Sequence, residues 1–198
     1  MEYVKALSQI SEIHQHLART EVYRGYRPVP VALSGIVGLA AAALQAPGLA
    51  ARDPIGFVLF WTAIAGVAGL AGSSEIAFNY LFREDAFERR RTRAVIGQVA
   101  PSILAGAVIT LTFTGLSAAL VPLLPGLWAM MFGVAAFAAR PYLPRATGWV
   151  ALFYLAAGSW LLSHAGGGAS SPWAVGGTFG AGQLFAALVL YWNLERTE

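Results

Sequence analysis

The stretch "PIGFVLFWTAIAGVAGLAGSSEIAFNYLF", residues 54–82, carries one charged side chain, Glu75. A helix crosses the hydrocarbon of a bilayer with about 20 predominantly apolar residues. This run exceeds that length, so it tilts or carries its last turns past the lipid. Proline opens it, and "REDAFERRRTR" (83–93) follows as a short charged loop. Residues 54–82 are therefore read as a transmembrane helix.

The same pattern recurs on both sides. Before it lies "VPVALSGIVGLAAAALQAP" (29–47). After it come "AVIGQVAPSILAGAVITLTFTG" (94–115) and "LVPLLPGLWAMMFGVAAFAA" (120–139). "GWVALFYLAAGSWLLS" (148–163) is the shortest, and "SPWAVGGTFGAGQLFAALVLYWN" (171–193) is the last. The composition agrees. Of 198 residues 57% are hydrophobic and only 12% charged, roughly half the charged share of an average soluble domain. Mean hydropathy is +0.61. The expected fold class is all-α: a polytopic membrane protein with six transmembrane helices spread over residues 28–198.

Residues 1–27, "MEYVKALSQISEIHQHLARTEVYRGYR", are charged throughout and contain no apolar run. They do not read as a cleavable signal peptide, so the first span acts as an uncleaved anchor. Val4, Leu7, Ile10, Ile13 and Leu17 recur at three and four, which predicts an amphipathic helix. It would lie on the cytoplasmic side, on lipid, on the bundle or on a second copy. Basic residues are retained in the cytoplasm. With the amino terminus inside, Arg52 is the one cation of 13 left outside. Both termini are then cytoplasmic. The chain has no cysteine, which excludes disulfides, thiolate metal sites and Cys nucleophiles.

An internal duplication is one reading of the two halves. "GFVLFWTAIAG" (56–66) parallels "GWVALFYLAAG" (148–158), and Gly97-Gln98 echoes Gly182-Gln183. Three spans per unit would invert the second copy, as in many transporters. Spans rich in Ala, Gly and Leu also align by chance.

The candidate site follows from the polar groups inside the spans. Counted from the end of its own span, Glu75 lies about 10 Å deep at 1.5 Å per residue. Asn79 is one turn on, hence on the same face. Gln98 begins the next span at comparable depth, and Pro101 frees the Gly97 carbonyl beside it. Glu75, Asn79, Gln98 and that carbonyl form the expected cytoplasmic-side binding cluster. Ser34 and Tyr154 are contributors by depth, and Gln183 sits nearer the midplane. An intramembrane acid is expensive when ionised and marks ion pathways. The opposing reading has Glu75 neutral, or paired with Arg83 or a loop arginine, so that it only ties helices together.

Other features carry less. In "EIHQH", His14 and His16 point to different sides of a helix, while Glu12 and His16 are an i, i+4 pair. No metal site and no cofactor are expected. Gly176 and Gly180 form a GxxxG helix-contact motif. "FERRRTR" anchors topology or holds anionic lipid head groups. Without an acid pair, a Ser–His pair or HExxH, no enzyme is expected. Partners would be the bilayer, a second copy or another membrane protein, and not nucleic acid.

The stretches "TEVYRGYRPVPVALSGIVGLAAAALQ" (20–45) and "SPWAVGGTFGAGQLFAALVLYWNLER" (171–196) resemble a group of bacterial multi-pass inner-membrane proteins without assigned activity. The resemblance implies a bacterial inner membrane and carries over no functional residue. The leading functional expectation is a small transporter or transport subunit. The alternative is a non-transporting scaffold, regulator or assembly protein acting through residues 1–27 and the basic loop.

Overall fold

The computed structural model of the protein describes residues 27–45, 53–83, 86–165 and 171–195. The amphipathic segment expected over residues 1–27 lies outside these, except for Arg27. Six α-helices follow in order: α1 (Pro28–Leu44), α2 (Pro54–Phe82), α3 (Ala86–Leu116), α4 (Leu124–Ala139), α5 (Thr147–Ser163) and α6 (Pro172–Leu190). Short 3-10 segments, Ala118–Leu123 and Arg140–Tyr142, flank α4, and a π-helical turn, Tyr191–Glu195, continues α6. Among the described residues there is no strand. Four stretches are long and apolar enough to cross a membrane: Pro54–Phe82, Glu88–Leu116, Ala118–Tyr142 and Pro172–Asn193. The other two apolar helices, α1 and α5, have 17 residues each.

Local chemistry explains the boundaries. Proline sits in the first turn of α1, α2 and α6, where its missing N–H costs no helical bond. The Asp53 carboxylate caps α2 by accepting the Gly56 N–H at 2.8 Å. Two boundaries differ from the sequence reading. The charged stretch 83–93 is mostly helix, because α3 already starts at Ala86. Its Ala, Glu and Arg residues are good helix formers, and no Pro or Gly interrupts them. At the fourth span, Pro122 sits in a 3-10 segment and α4 proper starts at Leu124, with Pro125 in its first turn.

Each helix packs against its sequence neighbours, and α1 closes the ring against α6. Glycines set the two closest seams. A β-carbon at Gly35 would lie 3.0 Å from the Gly180 carbonyl and from Gln183 Cβ. At Gly38 it would lie 3.6 Å from Gly180 N. On the far side, a β-carbon at Gly126 would lie 2.9 Å from the Gly158 carbonyl. One at Gly133 would lie 3.1 Å from that of Ala151. Small residues bring these backbones together, and such close approach holds helices together where apolar burial gives no drive.

The contacts also fix how far each helix reaches. Ser34 faces Gly72, and Gln45 bonds Trp61, so α1 and α2 run antiparallel with Pro28 near the level of residue 78. Trp128 bonds Thr110, which puts the end of α4 near residue 99 of α3. At this end α2 therefore outruns α1 by about 6 Å, and α3 outruns α4 by about 20 Å, at 1.5 Å per residue. The outer faces of the α2–α3 hairpin are apolar and unburied. Leu70 and Leu111 are each 74% exposed, and the apolar middle of α3 has no buried residue. Contiguous apolar surface of this kind is rare on soluble monomers and is ordinary where lipid is the solvent.

Candidate functional site

Glu75 is paired. Its Oε1 lies 3.1 Å from Arg27 Nε, and Arg27 is the residue immediately before α1. The partner is thus neither Arg83 nor a loop arginine. Arg27 marks the first turn of α1, so the carboxylate sits at that end of the bundle. α2 itself runs on past the end of α1, to Phe82. Both side chains keep contact with the surroundings, at 58% and 29% exposure.

The other expected binding residues show no side-chain bond to Glu75 among the described residues. Asn79 is half-buried one turn beyond Glu75, where its carbonyl accepts the Arg83 N–H at 2.8 Å. Gln98 is exposed, and a β-carbon at Gly97 would meet nothing within 4 Å. No hydrogen bond among the described residues joins Asn79 or Gln98 to Glu75. Gln183 lies on α6, in the seam with α1, with its Cβ against Gly35. Its side-chain oxygen is buried and has no hydrogen-bond partner.

The two contributors by depth serve the packing. The Ser34 hydroxyl donates to the Val31 carbonyl at 2.7 Å and is buried beside Gly72. Tyr154 has no exposed surface, and its hydroxyl donates to the Phe179 carbonyl at 3.3 Å. Its ring fills the space that a side chain at Gly182 would need. Phe132, Phe153 and Phe179 surround it with ring centroids 4.7–5.5 Å away.

Two polar ties escaped the sequence reading. The Trp61 indole N–H donates to Gln45 Oε1 at 3.0 Å, with both residues buried. Gln45 Nε2 remains buried and unpartnered. The Trp128 indole N–H donates to Thr110 Oγ1 at 2.8 Å, while that hydroxyl donates to the Gly106 carbonyl. The available signal was a tryptophan inside one span facing a polar residue at matching height on its neighbour. Indole rings near span ends instead read as interface anchors.

A further concentration of polar groups crowns the α2–α3 hairpin. Arg89 and Arg93 both stand over the Tyr80 ring, 5.6 and 5.9 Å from its centroid. Arg93 Nε donates to the Tyr80 hydroxyl at 2.9 Å. Arg83 stands 5.4 Å over Phe78. At the opposite end of the bundle His164 stacks on Trp160, and its Nδ1 lies 2.9 Å from both Ser163 Oγ and the Trp160 carbonyl. That Ser–His contact closes the last turn of α5. Among the described residues no three His, Cys, Asp or Glu side chains converge on a metal-sized site. "EIHQH" lies outside those residues.

Comparison with known proteins yields no match, whether to family models, to curated proteins or to solved structures.

Proposed function

We propose that the chain is a six-span membrane protein, with both termini cytoplasmic, in the inner membrane of a bacterium. It works as a non-transporting scaffold or assembly protein through the arginine-rich end of the bundle. Antiparallel register supports six spans. α1 matches the longer α6 along its whole length, and α5 matches α4, the middle of the 25-residue stretch Ala118–Tyr142, so the 17-residue helices cross the same layer as those spans. Seventeen residues is the short limit for a span.

The observation that carries the functional reading is the Glu75–Arg27 pair. A carboxylate already tied to the residue before α1 fastens helices, and among the described residues no hydrogen bond leads on from it to Asn79, Gln98 or Gln183. A 3+3 duplication would make α3 and α6 counterparts. Since α6 is a hub of buried contacts and α3 an edge helix, we give that duplication no role.

The transport reading keeps one supporting observation, the orphaned Gln183 oxygen buried between α1 and α6. One experiment separates the two. The chain lacks cysteine, so Arg90→Cys and His164→Cys each give a single labelling site. Membrane-impermeant thiol reagent should reach Cys at 90 only from the cytoplasmic side and Cys at 164 only from the other. The purified protein in liposomes should then pass neither protons nor alkali cations down a gradient. A flux that Glu75→Gln or Gln183→Leu abolishes would overturn the scaffold reading in favour of transport.

A further inference from the structure

We propose that the tip of the α2–α3 hairpin binds the phosphate of an anionic phospholipid head group. The inference rests on the arginine-rich end being the working surface, and it names what that surface holds.

Charge is the first reason. Residues 83–93 hold five arginines against three acids. Arg89, Arg90, Arg91 and Arg93 fall in the first turns of α3. The backbone N–H groups there already carry positive partial charge, so cations are unfavourable at that end. Arg89 and Arg93 are i, i+4 neighbours and Arg90 and Arg93 are i, i+3 neighbours, so they repel each other. A bound anion relieves both conflicts.

Geometry is the second. Arg89 and Arg93 lie against the ring of Tyr80, and Arg83 lies against that of Phe78. Ring faces hold guanidinium groups in place while leaving N–H edges free for a planar, two-pronged grip on phosphate. Arg93 spends Nε on the Tyr80 hydroxyl. Its two terminal nitrogens have no hydrogen bond or ion pair among the described residues. Arg83 and Arg90 are exposed and without an ion pair there too. Arg89 reaches the Leu81 carbonyl at 3.4 Å through a terminal nitrogen, and its Nε is buried without a partner.

Height selects the source of the phosphate. The same turns of α2 expose Phe78, Leu81 and Phe82, the last at 73%. They lie just beyond the end of α1, where a bilayer passes from hydrocarbon to head groups. A soluble phosphate leaves those apolar side chains uncovered. A phospholipid covers them with its acyl chains while its phosphate meets the arginines.

Thermal unfolding of the full chain in neutral detergent tests this, with phosphatidylglycerol, phosphatidylcholine or inorganic phosphate added. Phosphatidylglycerol should raise Tm saturably, and less at high salt. Phosphatidylcholine and inorganic phosphate at the same concentration should not. Arg90→Gln and Arg93→Gln should each weaken the phosphatidylglycerol effect roughly fivefold. Arg145→Gln, on the α4–α5 connection, should leave it intact. If Arg93→Gln fails to fold, Arg90→Gln and the salt dependence decide. Equal shifts with phosphatidylcholine, an equal shift with inorganic phosphate, or full binding by Arg90→Gln each overturn the proposal. The cysteine labelling and flux measurements are independent of this assay, so either idea can fail alone.

Discussion

Arg27 Nε and Glu75 Oε1 meet at 3.1 Å, linking the first turn of α1 to a point on α2 from which that helix runs on for almost two more turns. Because the partners are 58% and 29% exposed, their attraction is screened, and exposed pairs of this kind are worth about 0.2–1 kcal/mol. Glu75→Gln and Arg27→Gln should each lower stability by that amount. The double variant should cost less than the sum of the two. A double-mutant cycle read by thermal unfolding in detergent measures the coupling. A coupling well above about 2 kcal/mol would mean that the pair is buried in the folded protein.

The glycines divide into two populations with opposite expected responses. A side chain at Gly176 would run into the Gly38 carbonyl and come within 2.7 Å of the Trp61 ring. At Gly66, Gly69 and Gly97 it would meet nothing within 4 Å. Gly176→Val should therefore force α1 and α6 apart and cost about 3 kcal/mol or more, at the severe end for overpacking. Gly69→Ala and Gly97→Ala should stabilise by about 0.5–1 kcal/mol through helix propensity alone. Denaturation of the three variants in one detergent makes the comparison. A destabilising Gly69→Ala would indicate that another helix sits on that face.

Much of this architecture was legible because it depends on local chemistry. The bounds of α2 follow from Pro54 at one end and the first arginine at the other, and 54–82 is the helix observed. What failed to show depends on where helices stand relative to one another. A count of residues back from Phe82 gives the position of Glu75 along α2 but not which neighbouring helix begins beside it. Since α2 outruns α1, a count along α2 alone does not reveal Arg27, at the start of the shorter helix, as the partner. Gln98 is exposed, and which face of α3 turns toward its neighbours depends on packing that the local sequence does not fix. The start of α3 was hidden differently: a run of charges reads as loop, although every residue in 86–93 is compatible with helix.

The buried tie between Trp61 and Gln45 should resist single changes and tolerate a paired one. Trp61→Phe removes the indole N–H and leaves the amide oxygen of Gln45 unpaired beside an amide nitrogen that already lacks a partner. An orphaned buried polar group costs about 1–3 kcal/mol, and this loss should appear in thermal unfolding. Adding Gln45→Leu removes the orphaned acceptor oxygen and the unpartnered amide nitrogen together, and stability should recover most of the way. Failure of the pair to recover would show that the ring volume of Trp61, packed against Ala42 and Gly176, matters more than its hydrogen bond.

Thr110 is the polar hinge pin between the exposed hairpin and the rest of the ring. Its hydroxyl accepts from Trp128 at 2.8 Å and donates to the Gly106 carbonyl at 2.7 Å. Beside it Ile109 and Phe113 pack against the cluster formed by Phe57, Val121 and Leu124, on a helix whose apolar middle has no buried residue. Thr110→Val keeps the shape but strands the Trp128 N–H, a loss of about 1–3 kcal/mol. Because no residue in the apolar middle of α3 is buried, the change should loosen this one helix before the bundle unfolds. Hydrogen exchange in detergent should rise along 99–116 while the seams at Gly38–Gly176 and Gly126–Gly158 stay protected. Thr110→Ser, which keeps the hydroxyl, should restore protection. If exchange rises equally in α1 and α6, then α3 is not an edge helix but part of the same cooperative unit.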